Sequence, residues 1–124
     1  MLIGAAVASA ALCSEPAYHE TLTGQFNALT PENAMKFGPL CSSQGNHDFG
    51  EADAIVAVAE EHGMKVRGHT LVWYSQTPGT GFFREGYASR GARLTKEKMT
   101  SRLENYIKEV IRLIHEGWPG VLLA

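Results

Sequence analysis

The sequence predicts an α/β fold built on a parallel sheet, with elements in the order β-α-β-α-β-α-β. Three observations carry this reading. Leu2 to Val7 is a continuous apolar run without alternation, as expected for a strand buried on both faces. Short apolar runs then alternate with stretches of helical periodicity. The segments between runs have the length that parallel crossovers need.

Taken in order, Ser14-Glu15-Pro16 predicts a helix start, with a Ser cap and a proline where no N–H is required. That helix fades near Gly24. Phe26 to Leu29 predicts a second short strand. Thr30-Pro31-Glu32-Asn33 reads as a strand end followed by a helix with Pro31 at its first position, broken quickly by Gly38 and Pro39. Residues 41–47 form a loop rich in Ser, Gly and Asn. Asp48-Phe49-Gly50-Glu51 has the spacing of a capping box. The helix after it buries Ala52, Ile55, Val56 and Ala59 and ends at Gly63. Lys65 to Trp73 predicts a third strand, with Val66, Leu71 and Val72 as its apolar members. Residues 74–94 form a long loop rich in Gly and aromatics. The last helix repeats Met99, Leu103, Tyr106, Ile107, Val110, Ile111 and Ile114 at helical spacing, with Thr95 as cap and Gly117 as end. Val121 to Leu123 opens a fourth strand.

Four strands fit a small open sheet or half of a (β/α)8 barrel. An end inside an apolar strand favours a partial (β/α)8 TIM barrel: about the first four β/α units, truncated inside strand four at Ala124. Met1 to Leu12 is apolar and holds an Ala-Ser-Ala that mimics a cleavage site. No Lys or Arg precedes Lys36, however, and a secretory signal needs a basic region ahead of its apolar one. The stretch reads as a buried strand running into a loop.

Composition removes several functional classes. The chain has 124 residues, 44% apolar and 19% charged, with 11 Lys+Arg against 13 Asp+Glu and a formal net charge of −2. That is too apolar and too weakly charged for disorder. It offers no basic excess to displace counterions from nucleic-acid phosphates. No apolar run reaches the ~18 residues of a membrane span. The two cysteines, Cys13 and Cys41, make no disulfide scaffold; they either pair in an oxidising compartment or stand as buried free thiols.

In parallel α/β folds, function gathers at the C-terminal ends of strands. Two clusters fall there. Glu32, Asn33 and Lys36 follow strand two and offer a carboxylate, an amide and an ammonium, which suits a ligand covered in hydroxyls. The alternative is a solvated helix start with an i,i+4 ion pair between Glu32 and Lys36. His69, Trp73 and Gln76 lie on and beyond strand three. Alternation places His69, Leu71 and Trp73 on one face, where a flat indole with one donor suits the apolar side of a sugar ring. The alternative is a core His beside a core Trp. Phe82, Phe83 and Tyr87 are expected to pack the long loop onto the last helix. The segment 96–98 reads as a solvated helix face. Glu60-Glu61-His62 lacks the second His of a zinc motif. His47 and Asp48 are loop neighbours, with Asp48 read as a cap.

The run from Phe26 to Lys36, Phe-Asn-Ala-Leu-Thr-Pro-Glu-Asn-Ala-Met-Lys, closely resembles the second-strand motif of glycoside hydrolase family 10, the endo-β-1,4-xylanases. Gly68-His69-Thr70-Leu71-Val72-Trp73, followed by Ser75-Gln76-Thr77-Pro78, resembles that family's third-strand motif. Ala52-Asp53 and Gly63-Met64-Lys65-Val66-Arg67 fit between them, and Leu2 to Val7 resembles the first strand. Three positions depart from the family pattern. Phe37 stands where Trp is usual, Tyr74 replaces the commoner His, and Thr80-Gly81 follows Pro78-Gly79 where many members carry a Trp.

The resemblance implies that residues 1–124 are the N-terminal half of a glycoside hydrolase catalytic barrel. It implies that Glu32, Asn33, Lys36, His69, Trp73 and Gln76 bind xylose units on the glycone side of the cut. The family is retaining, which requires two carboxyl groups about 5–5.5 Å apart. The acid/base Glu ends a Trp-Asp-x-x-Asn-Glu motif at strand four and the nucleophile lies on a later strand, so both are expected beyond Ala124. The chain alone then carries no catalytic residue, and Glu32, which matches a sugar-binding position, does not fill the vacancy. No metal or organic cofactor is implied. The implied substrate is xylan or a xylo-oligosaccharide, with no nucleic-acid or membrane partner, and the implied setting is extracellular. A monomeric parent is expected, with self-association of the isolated half through its exposed sheet edges. The competing readings are a non-catalytic sugar-binding half-barrel remnant and a small open α/β domain with an unrelated ligand.

Overall fold

The computed structural model describes residues 1–123; of Leu122 and Leu123 only the backbone is described. Ala124, the predicted point of truncation, lies outside the described residues. The chain divides into two compact units. One comprises Met1–Met35, Phe49–Thr70 and the segment from Gly120; the other comprises Lys36–Asp48 and Leu71–Pro119.

The first unit is a sheet with helices. Strands β1 (Gly4–Val7), β2 (Ala28–Pro31), β3 (Lys65–Gly68) and β4 (Val121–Leu123) pair in the order β1-β2-β3-β4. Every pairing is parallel, as predicted. Gly4 to Val7 register with Ala28 to Pro31, Ala28 and Leu29 with Lys65 and Val66, and Val66 to Gly68 with Val121 to Leu123. Helices α1 (Ser9–Ser14), α2 (Pro16–Gln25) and α4 (Gly50–Glu61) belong to the same unit. As predicted, α4 buries Ala52, Ile55, Val56 and Ala59. Their spacing of three and four puts one apolar stripe against β2 and β3. Gly63 follows the C-cap at φ +64°, a left-handed conformation that favours glycine.

Several local expectations are corrected. Leu2 and Ile3 precede β1 and are half-exposed or more; within β1 only Val7 is fully buried. Gly4 and Ala6 are exposed, so the strand is not buried on both faces as its composition suggested, and among the described residues it pairs only with β2. Ser14 does not cap α2. It ends α1, where its hydroxyl donates to the Ala10 carbonyl, while Glu15 takes the N-cap position and Pro16 opens α2. Strand two is Ala28–Pro31 rather than 26–29, so Pro31 closes a strand and opens no helix. Helix α4 starts at Gly50 with Phe49 at the N-cap, one residue later than a capping box on Asp48 requires.

The second unit is organised by α5 (Lys96–Gly117), the short α3 (Phe37–Leu40) and two 3-10 turns at Thr80–Phe83 and Glu85–Tyr87. Gly38 and Pro39 sit inside α3 rather than ending it; a proline is tolerated there because the first turn needs no N–H partner. Cys41 and His47 pair as an antiparallel bridge closing the 42–46 turn. Thr95 caps α5 as predicted, its hydroxyl accepting from the Lys98 N–H at 3.3 Å. Helix α5 buries Tyr106, Val110 and Ile114 and carries ion pairs on its wet side, Glu104–Lys108 and Glu109–Arg112–Glu116. Phe37, Phe82 and Tyr106 form its aromatic core, with ring centroids 5.2 Å apart for the two phenylalanines and 4.3 Å for Phe37 and Tyr106. The Arg102 guanidinium lies 3.9 Å from the centre of the Tyr87 ring and donates to the Phe82 and Arg84 carbonyls. Phe82 and Tyr87 therefore pack the long loop onto the last helix, as expected. Lys98, in the predicted solvated face, pairs with Glu85. Both cysteines are free thiols, Cys13 exposed and Cys41 buried, which corrects the expectation of two buried thiols. Among the described residues no helix is long and apolar enough to cross a membrane.

Candidate functional site

The six predicted site residues divide evenly between the units. Glu32, Asn33 and His69 belong to the sheet unit. Glu32 directly follows β2 and His69 directly follows β3. These strands are parallel neighbours, so both residues stand at the C-terminal end of the sheet. The Glu32 N–H donates to the Val7 carbonyl at 2.8 Å, which carries the ladder one residue past the strand and sets where the exposed carboxylate emerges. Ala34 and Met35, just beyond Asn33, are buried and anchor the loop. His69 is half-buried, and its peptide bond to Thr70 is cis.

Lys36, Trp73 and Gln76 belong to the second unit. The Lys36 ammonium donates to Gln76 Oε1 at 2.6 Å. Residues 32–36 are not helical, so the alternative of an i,i+4 ion pair on a helix with Glu32 is overturned; Lys36 is the N-cap of α3. Trp73 is 40% exposed and its ring centroid lies 5.1 Å from that of Tyr74, which is 88% exposed. A core tryptophan is therefore excluded. Strand three ends at Gly68, where its last partner on β4 is Leu123. His69, Leu71 and Trp73 consequently share no strand face, and the alternation used to group them does not operate. What associates Trp73 with Gln76 is a common loop, pinned at Gln76.

The pin has a second half that the sequence pattern did not reveal. The Gly38 N–H donates to the Gln76 carbonyl at 2.6 Å. Gln76 itself adopts φ +53°. The signal available in the sequence is Gly38, two residues after Lys36.

Chemically, the second unit offers an ammonium and an amide locked together, and an accessible indole on the loop that carries the amide. Such groups donate to and accept from hydroxyls, while the indole face covers C–H surface. The sheet unit, taken by itself, carries a carboxylate, an amide and an imidazole at two strand ends. Among the described residues no group of three or more His, Cys, Asp or Glu is placed to hold a metal ion. A separate cavity of about 730 Å³ lies between the 41–47 turn and α5, lined by Cys41, His47, Arg102, Tyr106 and Glu109 among others. None of the six candidate residues lines it. Burial pushes the Cys41 thiol up to about 11 and the Tyr106 phenol well above its ordinary value.

Comparison with known proteins places these features in context. The family model described as glycosyl hydrolase family 10 matches residues 1–118. A β-1,4-xylanase of Dictyoglomus thermophilum is 47% identical over 94 residues, covering 76% of this chain and 24% of that protein. Endo-1,4-β-xylanase A of Caldicellulosiruptor saccharolyticus is 41% identical over 106 residues, covering 86% of this chain and 29% of its own length. Among solved structures, the intracellular xylanase of Thermoanaerobacterium saccharolyticum superposes with a TM-score of 0.86 at 31% identity, covering 98% of this chain and 38% of that one. The Clostridium thermocellum xylanase module complexed with xylohexaose gives 0.88 at 27% identity, covering 99% and 25%. The chain thus spans about a quarter to two fifths of the length of these relatives. Its parallel strands, its two long motifs and its match over residues 1–118 lead to one assignment: the chain belongs to glycosyl hydrolase family 10.

Proposed function

We propose that this chain is the glycone-binding, N-terminal part of a retaining endo-1,4-β-xylanase barrel, acting on internal β-1,4 bonds of xylan. The observation that carries the reading is the Lys36–Gln76 contact at 2.6 Å on the loop that exposes Trp73. It puts a charged donor on the same loop that carries a partly exposed indole, and donors together with an aromatic face are the combination that a sugar unit needs. The sheet unit by itself carries Glu32, Asn33 and His69 as polar groups at the ends of β2 and β3. In this reading the two carboxyl groups of retaining hydrolysis lie outside residues 1–124, as does the rest of the barrel. The isolated chain self-associates, because among the described residues β1 and β4 each pair on one side only, while the parent enzyme is monomeric. An extracellular setting belongs to the same proposal and follows from the family resemblance; recovery in culture medium rather than in the cell fraction checks it.

The test is a titration of residues 1–124 with xylotriose, followed by tryptophan fluorescence, beside an assay of reducing-sugar release from xylan. A saturable fluorescence change without sugar release is expected, and Trp73→Ala, titrated by calorimetry because the substitution removes the fluorescent reporter, is expected to weaken binding about tenfold or more. A titration without response would overturn the binding role. Heat-labile sugar release by the chain alone would overturn the placement of the catalytic carboxylates.

A further inference from the structure

Gln76 is held from two sides within its own unit. Its side-chain oxygen accepts from the Lys36 ammonium and its backbone carbonyl accepts from the Gly38 N–H, each at 2.6 Å. Lys36 and Gly38 are two residues apart, so the two bonds and the short chain between them close a small ring around one residue. Gln76 is also in the left-handed backbone region, at φ +53°. A residue with a side chain enters that region at an energetic cost, and such a conformation persists only where its surroundings over-determine it. Gly38 supplies that constraint. A Cβ at position 38 would lie 2.5 Å from the Gln76 carbonyl oxygen and 2.9 Å from that of Thr77. Both are backbone atoms and cannot swing aside as the tip of a flexible side chain would. Only glycine allows the two loops to approach this closely while keeping its N–H on the Gln76 carbonyl.

We propose that Gly38 is a positioning residue of the sugar-binding site: by clasping the Gln76 backbone it fixes the Gln76 amide on the Lys36 ammonium and holds both in the geometry that meets a sugar hydroxyl. This rests on the sugar-binding reading above and names a residue that reading does not include. Gly38 touches no sugar itself. It acts because a hydrogen bond to an ammonium is strong only when its acceptor is correctly aimed, and the Gln76 amide is aimed by its own backbone. A side chain at position 38 forces the 76–77 carbonyls away, so the amide leaves the ammonium and the pair no longer acts as one donor–acceptor unit.

The test compares two glycines of the same unit. Gly81 is equally crowded, with its virtual Cβ 2.5 Å from the Tyr87 carbonyl oxygen, and takes no part in the contacts of Gln76. Gly38→Ala and Gly81→Ala are titrated with xylotriose, and the unfolding midpoint of each is measured in urea. The expected result is about a tenfold loss of affinity for Gly38→Ala, the size of one charge-assisted hydrogen bond, with affinity unchanged for Gly81→Ala at comparable loss of stability. Unchanged affinity in Gly38→Ala, or equal losses in both variants, overturns the proposal. Amide hydrogen exchange of the unmodified chain tests the clasp even where a variant fails to fold: slow exchange at Gly38 supports it and exchange at the free-peptide rate overturns it. If the unmodified chain does not respond to xylotriose while Gly38 exchanges slowly, the sugar-binding reading and the role proposed for Gly38 within it fall, and the clasp alone stands.

Discussion

The sheet unit and the unit around α5 reach order by different means. In the sheet unit, short parallel strands place alanines, valines and leucines in register, and α4 covers them with a stripe of Ala52, Ile55, Val56 and Ala59. Three of its glycines are roomy: a Cβ at Gly24 or Gly63 meets nothing within 4 Å, as at Gly86 and Gly117 of the other unit, and one at Gly4 meets Ala28 at ordinary contact distance. In the second unit, bulky rings form the core and the loops are pressed together through backbone. Virtual Cβ atoms at Gly38, Gly81 and Gly91 fall 2.5–2.6 Å from carbonyl oxygens. Regular hydrogen-bonded elements space themselves, because the ladder or the helix sets the separation. Irregular loops have no such spacer, so their backbone groups find partners by close approach, and close approach selects glycine.

Core truncations should separate the two modes most strongly. Phe82 is 1% exposed and meets Phe37, Tyr87 and Tyr106 edge-on. Phe82→Ala is expected to destabilise the chain by about 3–5 kcal/mol. Ile55→Ala, in the sheet unit, removes less volume and is expected to cost about 2–4 kcal/mol. Urea unfolding followed by far-UV circular dichroism measures both. A larger loss for Ile55→Ala would mean that the aromatic cluster is not the denser core.

Glycine substitutions sharpen the contrast, because the two modes predict opposite signs. Gly24 lies in α2 with open space around it, so Gly24→Ala is expected to stabilise by about 0.5–1 kcal/mol. Gly81→Ala is expected to destabilise by about 1–3 kcal/mol through overpacking against Tyr87 and Ser43 backbone. Thermal midpoints of the two variants, compared with the unmodified chain, decide; shifts of the same sign would break the comparison.

The smallest expected effect concerns pH. Burial raises the Cys41 thiol from 9.0 to about 11, and raises the Tyr106 phenol also. A folded value above the unfolded one means that the folded chain holds the proton more tightly. The resulting stability is complete below pH 9 and declines as pH rises through about 11. Both groups lie in the second unit, as do both tryptophans, so fluorescence reports on the region that they affect. Urea midpoints by fluorescence should be flat from pH 7 to 9 and fall from 9 to 11. A midpoint that stays flat to pH 11 would show that neither group is held protonated by the fold.

Legibility from sequence followed the same division. The two strongly periodic helices were readable, α4 with its four buried residues and α5 with its Thr95 cap, because periodicity and capping are local properties. Helix α1 was not, since Ala8 to Ser14 is a run of small residues whose period is invisible and whose apolar character imitates a strand end or a leader. Strand three was read five residues too long: Leu71, Val72 and Trp73 have strand composition but no ladder partner, and composition does not report partners. Of the site, the six residues were selected by their chemistry and by motif resemblance. His69 and Trp73 share no strand face, because β3 ends at Gly68.

The sequence by itself determined the parallel α/β class, the family, the helix stripes and the residue types of the site, since these depend on patterns within a few residues or on long motifs. Only the tertiary structure decided that Lys36 meets Gln76 across 40 residues of chain, that Gln76 takes a left-handed backbone, and that Gly38 makes the space for it. Hydrogen bonds between distant loops depend on distances that no local pattern encodes. A glycine beside a proline reads as a helix breaker until the carbonyl that occupies its missing side chain is seen.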